Sequence, residues 1–187
     1  MRIGIEFDRV VTNPYAILNV INKVYGINLK PWNMYDKDIN NCVPFNIVEK
    51  EVNEKFSDWK SYLEQQWREG VDVVLEDLMN KHDIFIITDR EDDENYEWLT
   101  TFYNKVSTTR LLPVVRVTED NKPQKLEELK LNVMITDDID SCKNIRSCLY
   151  TTVFIRMSTF YNKDQDGIVC KNWYDVWEMI KFLDIVW

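Results

Sequence analysis

The N-terminal stretch Ile3-Gly4-Ile5-Glu6-Phe7-Asp8-Arg9-Val10-Val11-Thr12-Asn13 is the most informative of the chain. Residues 3–7 are a short apolar, β-branched run broken only by Glu6, and charge follows at once, which is the pattern of a buried strand ending in acids. Comparable runs recur at residues 84–88, 114–117, 133–136 and 152–155. Ile84-Phe85-Ile86-Ile87-Thr88 ends on Asp89 and Arg90, and Val133-Met134-Ile135-Thr136 ends on Asp137 and Asp138. Helix-like segments occupy residues 96–103, 124–129 and 173–183. Strands alternating with helices predict an α/β protein with a doubly wound parallel sheet, whose ligands bind beyond the carboxyl ends of the strands.

Residues 14–81 interrupt that alternation. Ala16, Val20, Ile21 and Val24, then Val52, Phe56, Trp59 and Leu63, recur at helical spacing. The expected organisation is therefore a core made of residues 1–13 and 82–187, with a small helical cap at 14–81 inserted after the first strand. The insert carries Trp32, Tyr35, Phe45, Phe56, Trp59, Tyr62 and Trp67. Most of these rings are expected to form its own core, with one or two left to stack on a planar ligand.

Composition narrows the function classes. The chain has 187 residues, 45% of them hydrophobic, with no long unbroken apolar stretch, which predicts a folded protein without a membrane span. Against 32 acidic residues there are 23 basic ones, a net charge of −9. No nucleic-acid polymer is expected as partner, because non-specific binding to the phosphate backbone needs a surface rich in Lys and Arg. The four glycines are few where average usage would give about thirteen, so a glycine-rich phosphate loop is not expected. Cys42, Cys142, Cys148 and Cys170 form no CxxC pair and His82 is the lone histidine, so reduced thiols are expected rather than a zinc site or disulfides. Glu6 falls where a secretory signal would carry its apolar core, and a cytoplasmic location is expected. His82 is expected at a helix end or in a loop, and the acidic run 91–94 at a solvated helix start.

The acids at the strand ends carry the chemistry. Glu6 and Asp8 stand two apart, so in extended chain they point the same way, and Asp137 and Asp138 enter the same sheet edge. Carboxylates converging on one crevice repel each other, and a hard cation such as magnesium would relieve the repulsion. The competing reading is solvated loop acids in an acidic protein.

These stretches, with Lys122 between the second and the last, resemble the four motifs of the haloacid dehalogenase (HAD) superfamily. The likeness is strongest to its 5'(3')-deoxyribonucleotidase-like branch, which closes in a stretch similar to Phe160-Tyr161-Asn162 and Asn172-Trp173-Tyr174-Asp175. The resemblance covers residues 1–13 and about 83–180, and it implies a HAD-like Rossmannoid core with a cap at 14–81. It further implies that Glu6 is the nucleophile and Asp8 the general acid and base. Thr88 and Lys122 would hold the phosphoryl group and neutralise charge, with Asp89 and Arg90 beside them. Glu6, Asp8, Asp137 and Asp138 would hold or surround Mg2+, with Asp138 either a ligand or an outer acceptor. Lys125 is the weaker candidate for the lysine. Asn162 and Trp173 are expected to be structural.

Two positions depart from the pattern. The family nucleophile is an aspartate, and Glu6 is one methylene longer, which matters because a misplacement of about 1 Å can cost about a hundredfold in rate. Arg9 stands where the family has glycine, at a turn that would disfavour a side chain if it needs positive φ. Its guanidinium could pair with Glu6 or hold a phosphate. The motif is degenerate at its centre, and two functions stay open. One is a magnesium-dependent phosphohydrolase of a small phosphomonoester, such as a nucleoside monophosphate. The other is a catalytically inactive protein of the same fold that binds a nucleotide, another phosphorylated ligand or a protein partner. A plain α/β scaffold with accidental acids is the third, least specific reading.

Overall fold

A computed structural model describes residues 1–90, 97–106, 112–139, 151–165 and 167–186. The acidic run 91–94, Cys142 and Cys148 lie outside the described residues. Among the described residues six strands form one sheet: β1 (Arg2–Glu6), β2 (Asp83–Thr88), β3 (Val114–Arg116), β4 (Val133–Thr136), β5 (Val153–Met157) and β6 (Ile168–Cys170). Their order is β3-β2-β1-β4-β5-β6, and every pairing is parallel. The sequence predicts the first five; β6 is a short edge strand that was not expected.

β1 is central because it is apolar on both sides. Ile3 and Ile5 are fully buried on one face, against α4 (Val71–Lys81), α5 (Glu97–Lys105) and α7 (Trp173–Val186). Gly4 faces the other layer, where a Cβ would stand 2.5 Å from Leu131 Cδ1. That layer is built on Leu126 of α6 (Lys122–Leu129), Ile87, Met134 and Ile139. The chain reverses direction of growth between β1 and β4, so the crevice above this pair is the switch point at which open α/β sheets bind ligands.

The residues between β1 and β2 supply α1 (Ala16–Tyr25), α2 (Glu49–Lys55), α3 (Trp59–Gln65) and α4. Gly26, at φ +66, ends α1 in the left-handed conformation that glycine tolerates best. Val20, Val24 and Val52 gather Ile17, Tyr25, Ile47, Phe56, Trp59, Tyr62 and Leu63 into a cluster separate from the sheet. α4 packs differently: Val71, Val74, Leu75, Leu78 and Met79 belong to the main core. Trp67 joins it as well, with its ring 5.5 Å from that of Phe102. The independent helical cluster thus stops short of residue 67. Trp32 and Tyr35 remain exposed.

His82 sits at the end of α4, buried, with Nδ1 3.2 Å from the N-terminal amine and Nε2 3.3 Å from Asp184. Among the described residues Cys42 and Cys170 are free thiols. No helix among them is long and apolar enough to cross a membrane.

Candidate active site

β1 delivers Glu6 to the carboxyl end of the sheet, and the chain then turns through Phe7–Val11. The turn places Arg9 at φ +62, ψ −6, a left-handed conformation held although the residue carries a side chain. Two contacts pin its backbone: the Arg9 N–H donates to Thr12 Oγ1 at 2.9 Å, and Arg68 Nε donates to the Arg9 carbonyl at 2.9 Å. Glycine is the usual solution at such a position.

Glu6, Asp8, Arg9, Thr88, Lys122 and Asp138 line a cleft of about 380 Å³, with Asp89 and Glu119 at its exposed mouth. This size falls within the range of small-molecule sites. Glu6 is gripped at both oxygens: Lys122 Nζ donates to Oε1 and Thr136 Oγ1 to Oε2, each at 2.5 Å. Burial raises the Glu6 carboxyl above the ordinary glutamate value, Lys122 opposes the shift, and Asp137 adds to it. The Thr136 hydroxyl is fully buried and also accepts the Asp138 N–H at 3.0 Å. Lys125, by contrast, lies against Glu128 on α6.

The remaining acids are each held by a cation. Arg90 forks onto Asp8 with Nε 3.0 Å from Oδ2 and Nη2 2.7 Å from Oδ1. Its backbone N–H donates to Thr88 Oγ1 at 3.2 Å. Arg9 Nε lies 2.7 Å from Asp137 Oδ2, so its guanidinium meets Asp137 and not Glu6. Tyr161 donates its hydroxyl to that same Oδ2 at 2.6 Å, and burial followed by the charge of Asp137 pushes the phenol well above its usual range. Burial lowers the Arg9 pKa, and Asp137 more than offsets this, so the guanidinium is always charged. Asp138 takes Lys37 at 2.9 Å, a residue from the helical segment across the cleft.

Sequence reasoning missed four of these groups. Thr136 was legible in principle, because pairing of Ile5 with Ile135 places it beside Glu6. Tyr161 stood in a recognised stretch without a role. Arg68 and Lys37 lie far along the chain and have no local signal.

Magnesium, implied by the resemblance, would call on Glu6, Asp8, Asp137 and Asp138. As folded, these four acids are met by Lys122, Arg90, Arg9 and Lys37 respectively. Asp137 keeps one buried oxygen, Oδ1, without a hydrogen-bond partner. Carboxylates already paired with a lysine or an arginine make a poor divalent-cation site, since Mg2+ binds through carboxylates not already satisfied by other cations. The donor set does not fit the ion in this arrangement.

No protein-family model matches the chain, and no curated protein matches its sequence. Solved structures do match its shape. A conserved haloacid dehalogenase-like protein of unknown function from Agrobacterium tumefaciens superposes with TM-score 0.64 at 12% identity, covering 98% of each chain. A haloacid dehalogenase-like family hydrolase from Xanthomonas campestris gives TM-score 0.60 at 10% identity, covering 99% of this chain and 96% of that one. The Bacillus subtilis protein YfnB, assigned as a HAD-hydrolase and bound to magnesium, gives 0.54 at 12%, covering 96% and 97%. The fold is that of HAD-like proteins, an α/β parallel sheet of Rossmann type.

Proposed function

We propose that the cleft handles a small phosphomonoester, with Glu6 as the group that receives its phosphoryl moiety, and that the chain is a phosphohydrolase. The observation that carries this reading is the seat of Glu6: both oxygens are fixed by Lys122 and Thr136 at the end of the central strand, facing the cleft. A nucleophile held in one geometry is what phosphoryl transfer requires, since most of its catalysis is positioning and charge stabilisation. A Glu6 oxygen would attack phosphorus, the bond from phosphorus to the ester oxygen would break, and that oxygen would leave with a proton from Asp8. Water would then hydrolyse the acyl phosphate, with Asp8 accepting the proton. Thr88 and Lys122 would bind the phosphoryl oxygens. No step in this scheme uses a metal.

A nucleoside monophosphate is the substrate class we favour, consistent with the deoxyribonucleotidase-like resemblance. Trp32 and Tyr35 are exposed on the segment that also sends Lys37 into the cleft, which offers rings to a base.

One observation favours a second reading, in which the phosphate ester is bound and not turned over. Arg90 occupies both oxygens of Asp8, so the fork must open before Asp8 can reach a leaving oxygen. Phosphate release from a panel of nucleoside monophosphates and simple phosphomonoesters, for wild type and Glu6→Gln, separates the two. Release lost in Glu6→Gln supports the hydrolase. Calorimetric binding without release supports the second reading, and neither binding nor release overturns both.

A further inference from the structure

We propose that Arg9 is the resident cation of this cleft: its guanidinium, seated against Asp137, takes the place of a divalent ion, and the phosphomonoester is bound without metal. This deepens the phosphomonoester reading and rests on it for the ligand alone.

Four acids gathered at one crevice need positive charge to be stable together, and that need is the reason to expect a divalent ion. Here Lys122, Arg90, Arg9 and Lys37 each supply it to one acid. Asp137 is the acid for which the substitution is most complete. It is wholly buried, and its Oδ2 accepts from both Arg9 and Tyr161. Arg68 adds to the charge around it: burial lowers the Arg68 pKa, Tyr161 and Asp137 oppose that shift, and its Nη2 is buried without a hydrogen-bond partner. The positive charge that a divalent ion would bring to Asp137 is already supplied by the guanidinium on its Oδ2.

The backbone adds a second, independent observation. Arg9 holds φ +62, a conformation that is disfavoured for a residue with a side chain. Retaining that conformation where glycine would be free indicates that the side chain is used. Its use is visible in the geometry. Nε alone is committed to Asp137, the side chain is 39% exposed, and it lines the cleft. The two terminal nitrogens of the fork are therefore available to phosphate oxygens, which a guanidinium binds in pairs.

The test titrates wild type, Arg9→Gly and Arg9→Asn with Mn2+, read by electron paramagnetic resonance, and with inorganic phosphate, read by calorimetry in chelator and in magnesium. Glycine and asparagine both tolerate positive φ, and circular dichroism verifies that each variant is folded. Wild type is expected to bind no stoichiometric Mn2+ and to bind phosphate equally, within about twofold, in chelator and in magnesium. Both variants are expected to lose about tenfold or more in phosphate affinity in chelator, to gain a Mn2+ site, and to recover phosphate binding in magnesium. One Mn2+ per wild-type chain, lost in Asp137→Asn, would overturn the proposal, as would phosphate binding that disappears in chelator. Wild type that binds phosphate in neither condition counts against the phosphomonoester reading, while the Mn2+ titration still decides the role of Arg9.

Discussion

Lys122 holds its ammonium 2.5 Å from Glu6 Oε1, with only 16% and 13% of the two side chains exposed. Removing the cation leaves a buried carboxylate with Thr136 as its one remaining donor. Breaking such a pair costs about 3–5 kcal/mol, and Lys122→Met is expected at the low end, about 3 kcal/mol, because Glu6 can take up a proton instead. The loss should be larger at neutral than at mildly acidic pH. Urea denaturation at the two pH values measures it, and an equal loss at both would sink the account.

The pH dependence of turnover follows from the raised Glu6 carboxyl. Attack on phosphorus needs the ionised form, so the acid limb of the rate profile should lie above the ordinary glutamate value, with rate rising as pH rises through it. Stability runs the other way. A group whose folded pKa is raised contributes stability that is present below the unfolded value and lost as pH rises through the folded one. Glu6→Gln should remove this pH-dependent component from the stability curve. A rate profile that is flat across the carboxylate range would exclude Glu6 as nucleophile.

Thr136 donates to Glu6 and accepts from the Asp138 N–H, with no exposure to water. Thr136→Val keeps the shape and leaves both partners unsatisfied, at a cost of about 1–3 kcal/mol. Because the Thr136 hydrogen bond lowers the Glu6 pKa, its loss should move the acid limb of the rate profile further up. Denaturation and a pH–rate series on the same variant separate these two effects; an unmoved limb would show that the hydroxyl serves only the backbone.

Lys37 reaches Asp138 from the helical segment while remaining 54% exposed. An ion pair that open contributes about 0–1 kcal/mol and is screened by salt. Lys37→Ala should therefore leave the unfolding midpoint nearly unchanged while weakening binding of inorganic phosphate, with an effect that shrinks as salt is added. A midpoint shift comparable to that of Lys122→Met would show that the pair holds the two parts of the molecule together.

Much of the fold was legible because the core strands announce themselves: Ile3, Ile5, Ile84, Ile86, Val133 and Ile135 are apolar, contiguous and followed by charge. The strand-end acids and Lys122 were visible for the same reason, since the motif order places them at one edge. What was not legible is who neutralises whom. Arg9 was a candidate partner of Glu6, being three residues away, yet the turn at φ +62 carries it to Asp137. Local spacing cannot report a contact between residues 128 positions apart. α4 was assigned to the insert because its period is helical, and only packing reveals that its apolar face belongs to the sheet.

Asn162 closes the back of the site. Its Nδ2 donates to the carbonyls of Asp137 at 2.7 Å and Met157 at 2.9 Å, and its Oδ1 accepts from the Thr159 N–H at 2.8 Å and Arg156 Nη1 at 2.9 Å. All four hydrogen-bonding positions of the amide are used, and the residue is wholly buried. Asn162→Ala strands two carbonyls, one N–H and part of a buried guanidinium. Each orphaned group costs about 1–3 kcal/mol, non-additively, so a total of about 4 kcal/mol is expected. Asn162→Asp should be nearly as damaging, because a carboxylate would face the two carbonyls that the amide now satisfies. Since one of those carbonyls belongs to Asp137, the Arg9 contact should loosen with it, and phosphate affinity should fall in whatever fraction remains folded. Chemical denaturation with phosphate calorimetry below the unfolding transition tests both; a variant destabilised by less than about 1 kcal/mol would mean that water replaces the amide.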